Sequence, residues 1–329
     1  MGTLLFVSAI AMSAPPSVHA QSLADAFAYL QSGDYAAARK AVEPFVEDGD
    51  PNALSLLGFM EERGLGGPPN VERAIALYSE AAQAGSADAQ FALGELAMTG
   101  AGVKQDFERG LAWLRLAAEQ GHPQAHVNLG MAFASGAGVK RDMKKAIGHF
   151  REAAEAGDAG AQYNLGVAHL VGQGVKRDYP AAAEWFEKAS AQGHAESQYN
   201  LALLFESDYL GAPDPVRAVE LMQAAAEGGL PSACVAVGLM HYDGRLPATS
   251  AEDAATKAAD WFERAALAGD PQGQFLFAAA LAKGEGRTQN PEEAKTFLRE
   301  ALKGADALPP ETVRNAQDLL KELDRASGG

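Results

Sequence analysis

From Gly49 onward the apolar residues fall at helical spacing, and the pattern itself recurs. Counted from an opening glycine, a small residue stands four places on, in the pairs Gly49/Ala53, Gly85/Ala89, Gly121/Ala125, Gly157/Ala161, Gly193/Ser197, Gly229/Ala233 and Gly269/Gly273. Successive pairs are 36 residues apart, and the last step is 40. Eight places after the glycine comes an apolar residue: Leu57, Leu93, Leu129, Leu165, Leu201, Val237 or Phe277. A further small residue follows it directly: Gly58, Gly94, Gly130, Gly166, Ala202, Gly238 or Ala278. On a helix these positions share one face, with the larger side chain between the small ones. Such a face lets a second helix approach closely.

The punctuation repeats as well. Gly-x-Gly turns at Gly64/Gly66, Gly100/Gly102, Gly136/Gly138, Gly172/Gly174 and Gly284/Gly286 end the first helix of a unit, glycine supplying a left-handed cap. Asp106, Asp142 and Asp178 stand just before the next periodic run and read as N-caps. The second helix carries an alanine pair near its end, as at Ala117-Ala118 and Ala153-Ala154. A fixed period of this size marks a stacked array of helix pairs. Residues 21–48 read as one further pair, and 305–329 as a closing amphipathic helix and tail. The stretch GQGVKRD is therefore a connector. Several glycine loops in series are explained by turn geometry, and the Gly-Lys-Ser/Thr of a phosphate loop is absent.

Two units break the pattern. The fifth reads FESDYLGAPDP where the Gly-x-Gly turn is expected, and the sixth, HYDGRLPATSAEDAATKAAD, contains the four-residue insertion. These irregular loops, near 207–215 and 243–256, make Tyr209, Asp243 and Arg245 candidates for partner contact, since insertions in solenoids often map to a binding face.

The runs AQFALGELAMTGAGVKQD, AHVNLGMAFASGAGVKRD and AQYNLGVAHLVGQGVKRD resemble the Sel-one-like repeat, a relative of the tetratricopeptide repeat. The resemblance covers Gly49 to about Gly304, seven repeats. It implies an all-α, right-handed superhelical solenoid of stacked antiparallel helix pairs, in which the first helices line a concave groove. Residues three, seven, ten and fourteen places after the opening glycine form a stripe within about 60° of one another, apart from the packed face. Seven places on stand Asn128, Asn164 and Asn200; ten places on stand Met131, Val167, Leu203 and Leu239. An asparagine amide can both donate to and accept from a peptide main chain, and an apolar row beside it can take side chains. The expected partner is a protein or peptide. The alternative role for the asparagines is a structural ladder between neighbouring helices.

The net charge of −16 argues against nucleic acid and anionic membrane surfaces as partners. The basic residues Lys104, Lys140-Arg141 and Lys176-Arg177 nevertheless form a periodic row on one loop edge, which could dock an acidic partner. A single cysteine, Cys234, rules out an internal disulfide and a cysteine zinc cluster, and reads as a small buried residue. His122 and His126 are four apart, a spacing open to metal ligation, but His122 sits at a repeat boundary and no carboxylate completes a metalloprotease motif. No cofactor, metal or catalytic constellation emerges. Cysteine-rich members of the family are described as binding or hydrolysing β-lactams. They carry paired cysteines that this chain lacks, and no serine here begins a Ser-x-x-Lys motif.

At the N-terminus the apolar run Leu4–Met12 is followed by prolines and by Val18-His19-Ala20, which resembles a secretory signal peptide cleaved after Ala20, though without a basic n-region. No other apolar run reaches the length of a membrane span. These features, with the resemblance, imply a non-enzymatic interaction scaffold or regulator of the bacterial envelope, periplasmic or secreted. Restraint of a signalling receptor is among the roles the family fills. The alternative is a cytosolic assembly scaffold in which the apolar run is an ordinary helix.

Overall fold

The computed structural model describes residues 18–327. Most of the expected signal segment, residues 1–17, lies outside them. Among the described residues there are seventeen α-helices, one 3-10 turn (Ala305–Ala307) and no strand. The chain divides into two compact units between Glu152 and Ala153. The first holds α1 (Val18–Ser32), α2 (Tyr35–Glu47), α3 (Pro51–Arg63), α4 (Val71–Gln83), α5 (Ala87–Thr99), α6 (Phe107–Glu119), α7 (Pro123–Ser135) and most of α8 (Met143–Glu155). The second holds α9 (Ala159–Val171), α10 (Tyr179–Ser190), α11 (Ala195–Glu206), α12 (Pro215–Glu227), α13 (Pro231–Tyr242), α14 (Ala251–Leu267), α15 (Pro271–Lys283), α16 (Pro291–Lys303) and α17 (Pro310–Ser327). Within the first unit each helix from α1 to α7 packs on its successor, and α3 also meets α5. In the second the same holds from α9 to α17, with α9 meeting α11 and α13 meeting α15. The fold is all-α, built of stacked antiparallel helix pairs.

Local chemistry sets the helix limits. The Asp158 carboxylate accepts the Ala161 N–H at 2.6 Å and starts α9. Gly172, at φ 77°, ends it in the left-handed region and donates its N–H to the Ala168 carbonyl. Asp106, Asp142 and Asp178 cap the second helices as expected, accepting from Arg109 at 3.0 Å, from Lys144 and Lys145 at 3.1 Å, and from Ala181 at 3.0 Å.

The small residue after each core leucine faces one bulky residue of the paired helix. A Cβ added to Gly58, Gly94, Gly130 or Gly166 would collide with Tyr78, Leu114, Phe150 or Phe186 respectively. In the fifth and seventh repeats, where alanine replaces this glycine, Ala202 shares a core cluster with Met222, and Ala278 one with Leu298. Ring size on one helix is thus matched to the missing methyl on the other. Leu57, Leu129, Leu165 and Leu201 are all at most 2% exposed.

A second repeating device ties each first helix to the helix before it. Five places after the opening glycine a polar side chain reaches back to the end of the preceding helix. Gln90 donates to the Ala82 carbonyl at 3.3 Å, Gln162 to Ala154 at 3.1 Å, Gln198 to Ser190 at 3.4 Å and Gln274 to Ala266 at 3.5 Å. Cys234 makes the equivalent contact to Ala226 at 3.5 Å. Each of these carbonyls also accepts the N–H of the glycine three places on, as Ala154 does from Gly157 at 3.1 Å, so the side chain adds a second bond that ties the two helices together. In two places the ladder extends further, Gln120 donating to Gln90 at 2.8 Å and Gln192 to Gln162 at 2.9 Å.

The four-residue insertion corrects one expectation. The sequence predicts a loop over 243–256, but residues 251–256 are helical. The second helix α14 has 17 residues where most others have 13, so the insertion lengthens it by about one turn. The Ser250 hydroxyl accepts from Asp253 N–H at 3.1 Å and moves the helix start upstream. What remains irregular is the connection 243–250, and it is anchored. Leu246 is buried, and its N–H and that of Arg245 both donate to the Met240 carbonyl.

Candidate functional site

The expected stripe is distributed over both units. In the first, Asn128 on α7 is half-buried and Met131, one turn on, is 56% exposed. The Asn128 amide lies against the Glu95 carboxyl of α5. Crowding by neighbouring atoms pushes that carboxyl above its ordinary value even though the side chain keeps exposed surface; Asn128 and Arg63 pull it back, and Glu62 pushes it up. Glu62 in turn accepts the Tyr78 hydroxyl at 3.0 Å, and burial with that carboxylate keeps Tyr78 a neutral phenol.

In the second unit, Asn164 on α9 is half-buried, and its side chain makes no hydrogen bond among the described residues. Asn200 on α11 donates to the Glu196 carbonyl of its own helix at 2.8 Å and its amide also faces the Tyr163 hydroxyl. The apolar row is uneven. Leu203 is 42% exposed, whereas Val167 packs on the cluster around Phe186 and Leu201, and Leu239 on the clusters around Met222 and Phe277. Asn164 and Leu203 are therefore the freest of the stripe in this unit. Asn200 is part-committed, and Leu239 contributes mainly to packing.

The irregular-loop candidates have structural work of their own. Tyr209 is 54% exposed, yet it stacks on Tyr179 with ring centroids 4.2 Å apart. Arg245 pairs with Glu206 at 3.1 Å. Asp243 terminates α13, its N–H donating to the His241 and Leu239 carbonyls, and its side chain is exposed.

A family model described as the Sel1 repeat matches the chain seven times without a break, at residues 51–86, 87–122, 123–158, 159–194, 195–230, 231–270 and 271–306. The chain belongs to the Sel1 repeat family. Solved structures similar to it include two of the same family. One is c5321, a protective antigen present in uropathogenic Escherichia coli strains and displaying an SLR fold, at 26% identity and a TM-score of 0.72, covering 94% of this chain and 69% of that one. The other is a Sel1 repeat protein from Oxalobacter formigenes, at 29% identity and a TM-score of 0.69, covering 75% of this chain and 99% of that one. No curated protein sequence matches. Sel1 repeat proteins are generally protein-interaction scaffolds, and the repeat fold is typically non-catalytic. No helix among the described residues is long and apolar enough to cross a membrane.

His122, His126, His149, His194 and Cys234 serve the Sel1 repeats. His122 caps α7 through Nδ1, accepting from Ala125 N–H at 3.3 Å, and stacks on Phe91. His194 does the same for α11. His126 occupies the place that holds glutamine in other Sel1 repeats and donates through Nε2 to the Ala118 carbonyl at 3.1 Å. Its Nδ1 then accepts from the Nδ1–H of His149, 3.2 Å away. Thus His122 and His126 turn to different partners. Burial pushes the Cys234 thiol up, away from thiolate chemistry.

Proposed function

We propose that this Sel1 repeat protein is an interaction scaffold of the bacterial envelope that holds an extended protein segment against the exposed stripe of its first helices. The observation that carries this reading is Asn164: a half-buried amide left without a side-chain partner, in the same unit as the exposed Leu203. The Asn164 amide reaches solvent, and a peptide main chain can replace its water with both an acceptor and a donor. Asn200 offers its amide oxygen beside Leu203, and Asn128 with Met131 offers the same pairing of amide and apolar surface in the first unit. The scaffold acts after export, with the mature chain starting at Gln21.

The test begins with a partner captured from the native envelope fraction and then measured by titration. Asn164→Ala should weaken that partner about two- to twelvefold, the equivalent of one neutral hydrogen bond. Its melting temperature should stay unchanged, because no internal bond is lost. Lower stability with unaltered affinity would assign Asn164 to the architecture instead. N-terminal sequencing of the native protein tests export separately: an intact Met1 in a cytosolic fraction would refute it.

A further inference from the structure

The first unit gathers four cations around one aromatic ring. Two adjoining clefts, of about 370 and 360 Å³, share Arg115 of α6, Phe133 of α7 and Lys145 of α8. Lys140 and Arg141 extend the first cleft along the connection to α8. The pair His126 and His149 closes the second. The Lys145 ammonium stands 5.3 Å from the centre of the Phe133 ring, and Arg141 is held by a 2.9 Å bond from Nε to the Ala134 carbonyl, which leaves its terminal nitrogens available.

Three observations single this region out. First, among the described residues none of Arg115, Lys140, Arg141 and Lys145 makes an ion pair, in a chain with 43 acidic and 27 basic residues where chance would supply partners. The two carboxylates that line the clefts, Asp142 and Glu119, form no ion pair with them; Asp142 accepts the N–H groups of Lys144 and Lys145 instead. Second, the full set is not periodic: Arg151, Lys176 and Arg177 repeat Arg115, Lys140 and Arg141, but the residues that complete the cleft do not recur. One repeat on, the places of Phe133, Lys145 and His149 hold His169, Ala181 and Trp185. Third, at 100° per residue His126 and Phe133 lie on roughly the opposite side of α7 from Asn128 and Met131, so the cleft is distinct from the asparagine stripe.

We propose that this cleft is a second docking site, which takes an extended carboxylate-rich segment of a partner protein. The cations are strung along two joined clefts and do not converge on a point. The nearest cluster of free backbone N–H groups, the start of α8, is already occupied by the Asp142 carboxylate, so the cradle that suits a small phosphate is missing. Guanidinium and ammonium groups on flexible stems, spaced along an aromatic floor, match carboxylates spaced along a chain.

The test uses the full chain and a fluorescein-labelled peptide, Glu-Glu-Leu-Asp-Glu-Phe-Glu-Asp, read by anisotropy at about 50 mM salt, where screening is weak. The charge-reversed lysine peptide is the control, and pyrophosphate and heparin are competitors. The acidic peptide should bind and the lysine peptide should not. The variant carrying Arg115→Ala, Lys140→Ala, Arg141→Ala and Lys145→Ala should bind the acidic peptide about tenfold more weakly or worse, with an unchanged circular-dichroism spectrum. Amide and ring signals of Phe133 and His149 in the wild-type chain should shift on titration, a readout that needs no variant. No binding, equal binding by the variant, or shifts elsewhere would overturn the proposal. So would displacement by pyrophosphate or heparin at concentrations below the peptide's own Kd, which would assign the cleft to phosphate or to a sulfated polysaccharide.

Discussion

Adding one methyl group at Gly166 sets two known effects against each other. A Cβ there would lie 2.5 Å from both Cδ1 and Cε1 of Phe186 and 3.0 Å from Cζ. Comfortable carbon contacts are about 3.5–4.0 Å. Phe186 is 0% exposed and has no open side to retreat into. Alanine in a helix interior gains about 0.5–1 kcal/mol over glycine. Overpacking a filled core costs about 1–3 kcal/mol. The steric cost should win, because the displaced atoms belong to a rigid ring, leaving Gly166→Ala destabilised by about 1–2 kcal/mol. The chain supplies the compensating pair: where alanine stands naturally, at Ala202, the residue in its cluster is the flexible Met222. Phe186→Met alone should destabilise by roughly 1 kcal/mol or more through lost volume. The double variant should recover part of both losses, with a favourable coupling of about 0.5–3 kcal/mol. Urea unfolding of the four proteins gives the cycle, and hydrogen exchange should place the loss in α9, α10 and their neighbours, since repeat arrays couple mainly to nearest neighbours. A Gly166→Ala protein more stable than wild type, or a cycle additive within about 0.3 kcal/mol, would refute the account of helix pairing given above.

Leu165 is 0% exposed, so Leu165→Ala should cost about 2–5 kcal/mol in chemical denaturation, with protection lost across repeat four and its neighbours. Gln162→Met keeps the volume but removes one of two bonds to the Ala154 carbonyl and one of two acceptors of Gln192, and should cost about 0.5–1.5 kcal/mol in the same measurement. Burial, aided by His126, Arg115 and Lys145 and opposed by Glu152, holds the His149 imidazole below its ordinary value of 6.5. The unfolded chain therefore binds the proton more readily than the folded one, and stability should fall as pH drops below 6.5 toward the folded value. Histidine NMR should show the low titration, and His149→Phe should flatten the pH dependence of unfolding.

Much of this architecture was legible because it rests on interactions a few residues apart. The spacing of Ala161, Leu165 and Gly166, the left-handed stop at Gly172 and the cap at Asp178 are all settled within one or two helical turns, so a repeat of these letters is a repeat of the structure. The sequence also showed that the small places admit a second helix. It could not show which residue fills the space, because Phe186 is twenty positions from Gly166 and meets it only when the pair closes. The reach of Gln162 to Ala154 is not legible in the sequence, because a glutamine near a helix start reads as solvated surface until packing brings the end of the preceding helix within its reach. The same reason moved the insertion from a loop into α14: a Ser-Ala-Glu-Asp run is compatible with either, and the decision fell to the Ser250 cap and to burial of Leu246.

The sequence by itself determined the fold family, the helix register and the order of the elements, since periodicity and capping are local and cooperative within each helix. Tertiary structure alone decided which polar residues are spent on the architecture and which remain free. Asn128, Asn164 and Asn200 are one letter at one register position, yet Asn128 lies against Glu95, Asn200 bonds Glu196 and faces Tyr163, and Asn164 has no such neighbour. Arg115, Phe133 and Lys145, on three helices, share a cleft only because α6, α7 and α8 stack. A side chain's availability depends on which groups from other helices come within about 3 Å of it, and that distance is set by packing rather than by sequence spacing.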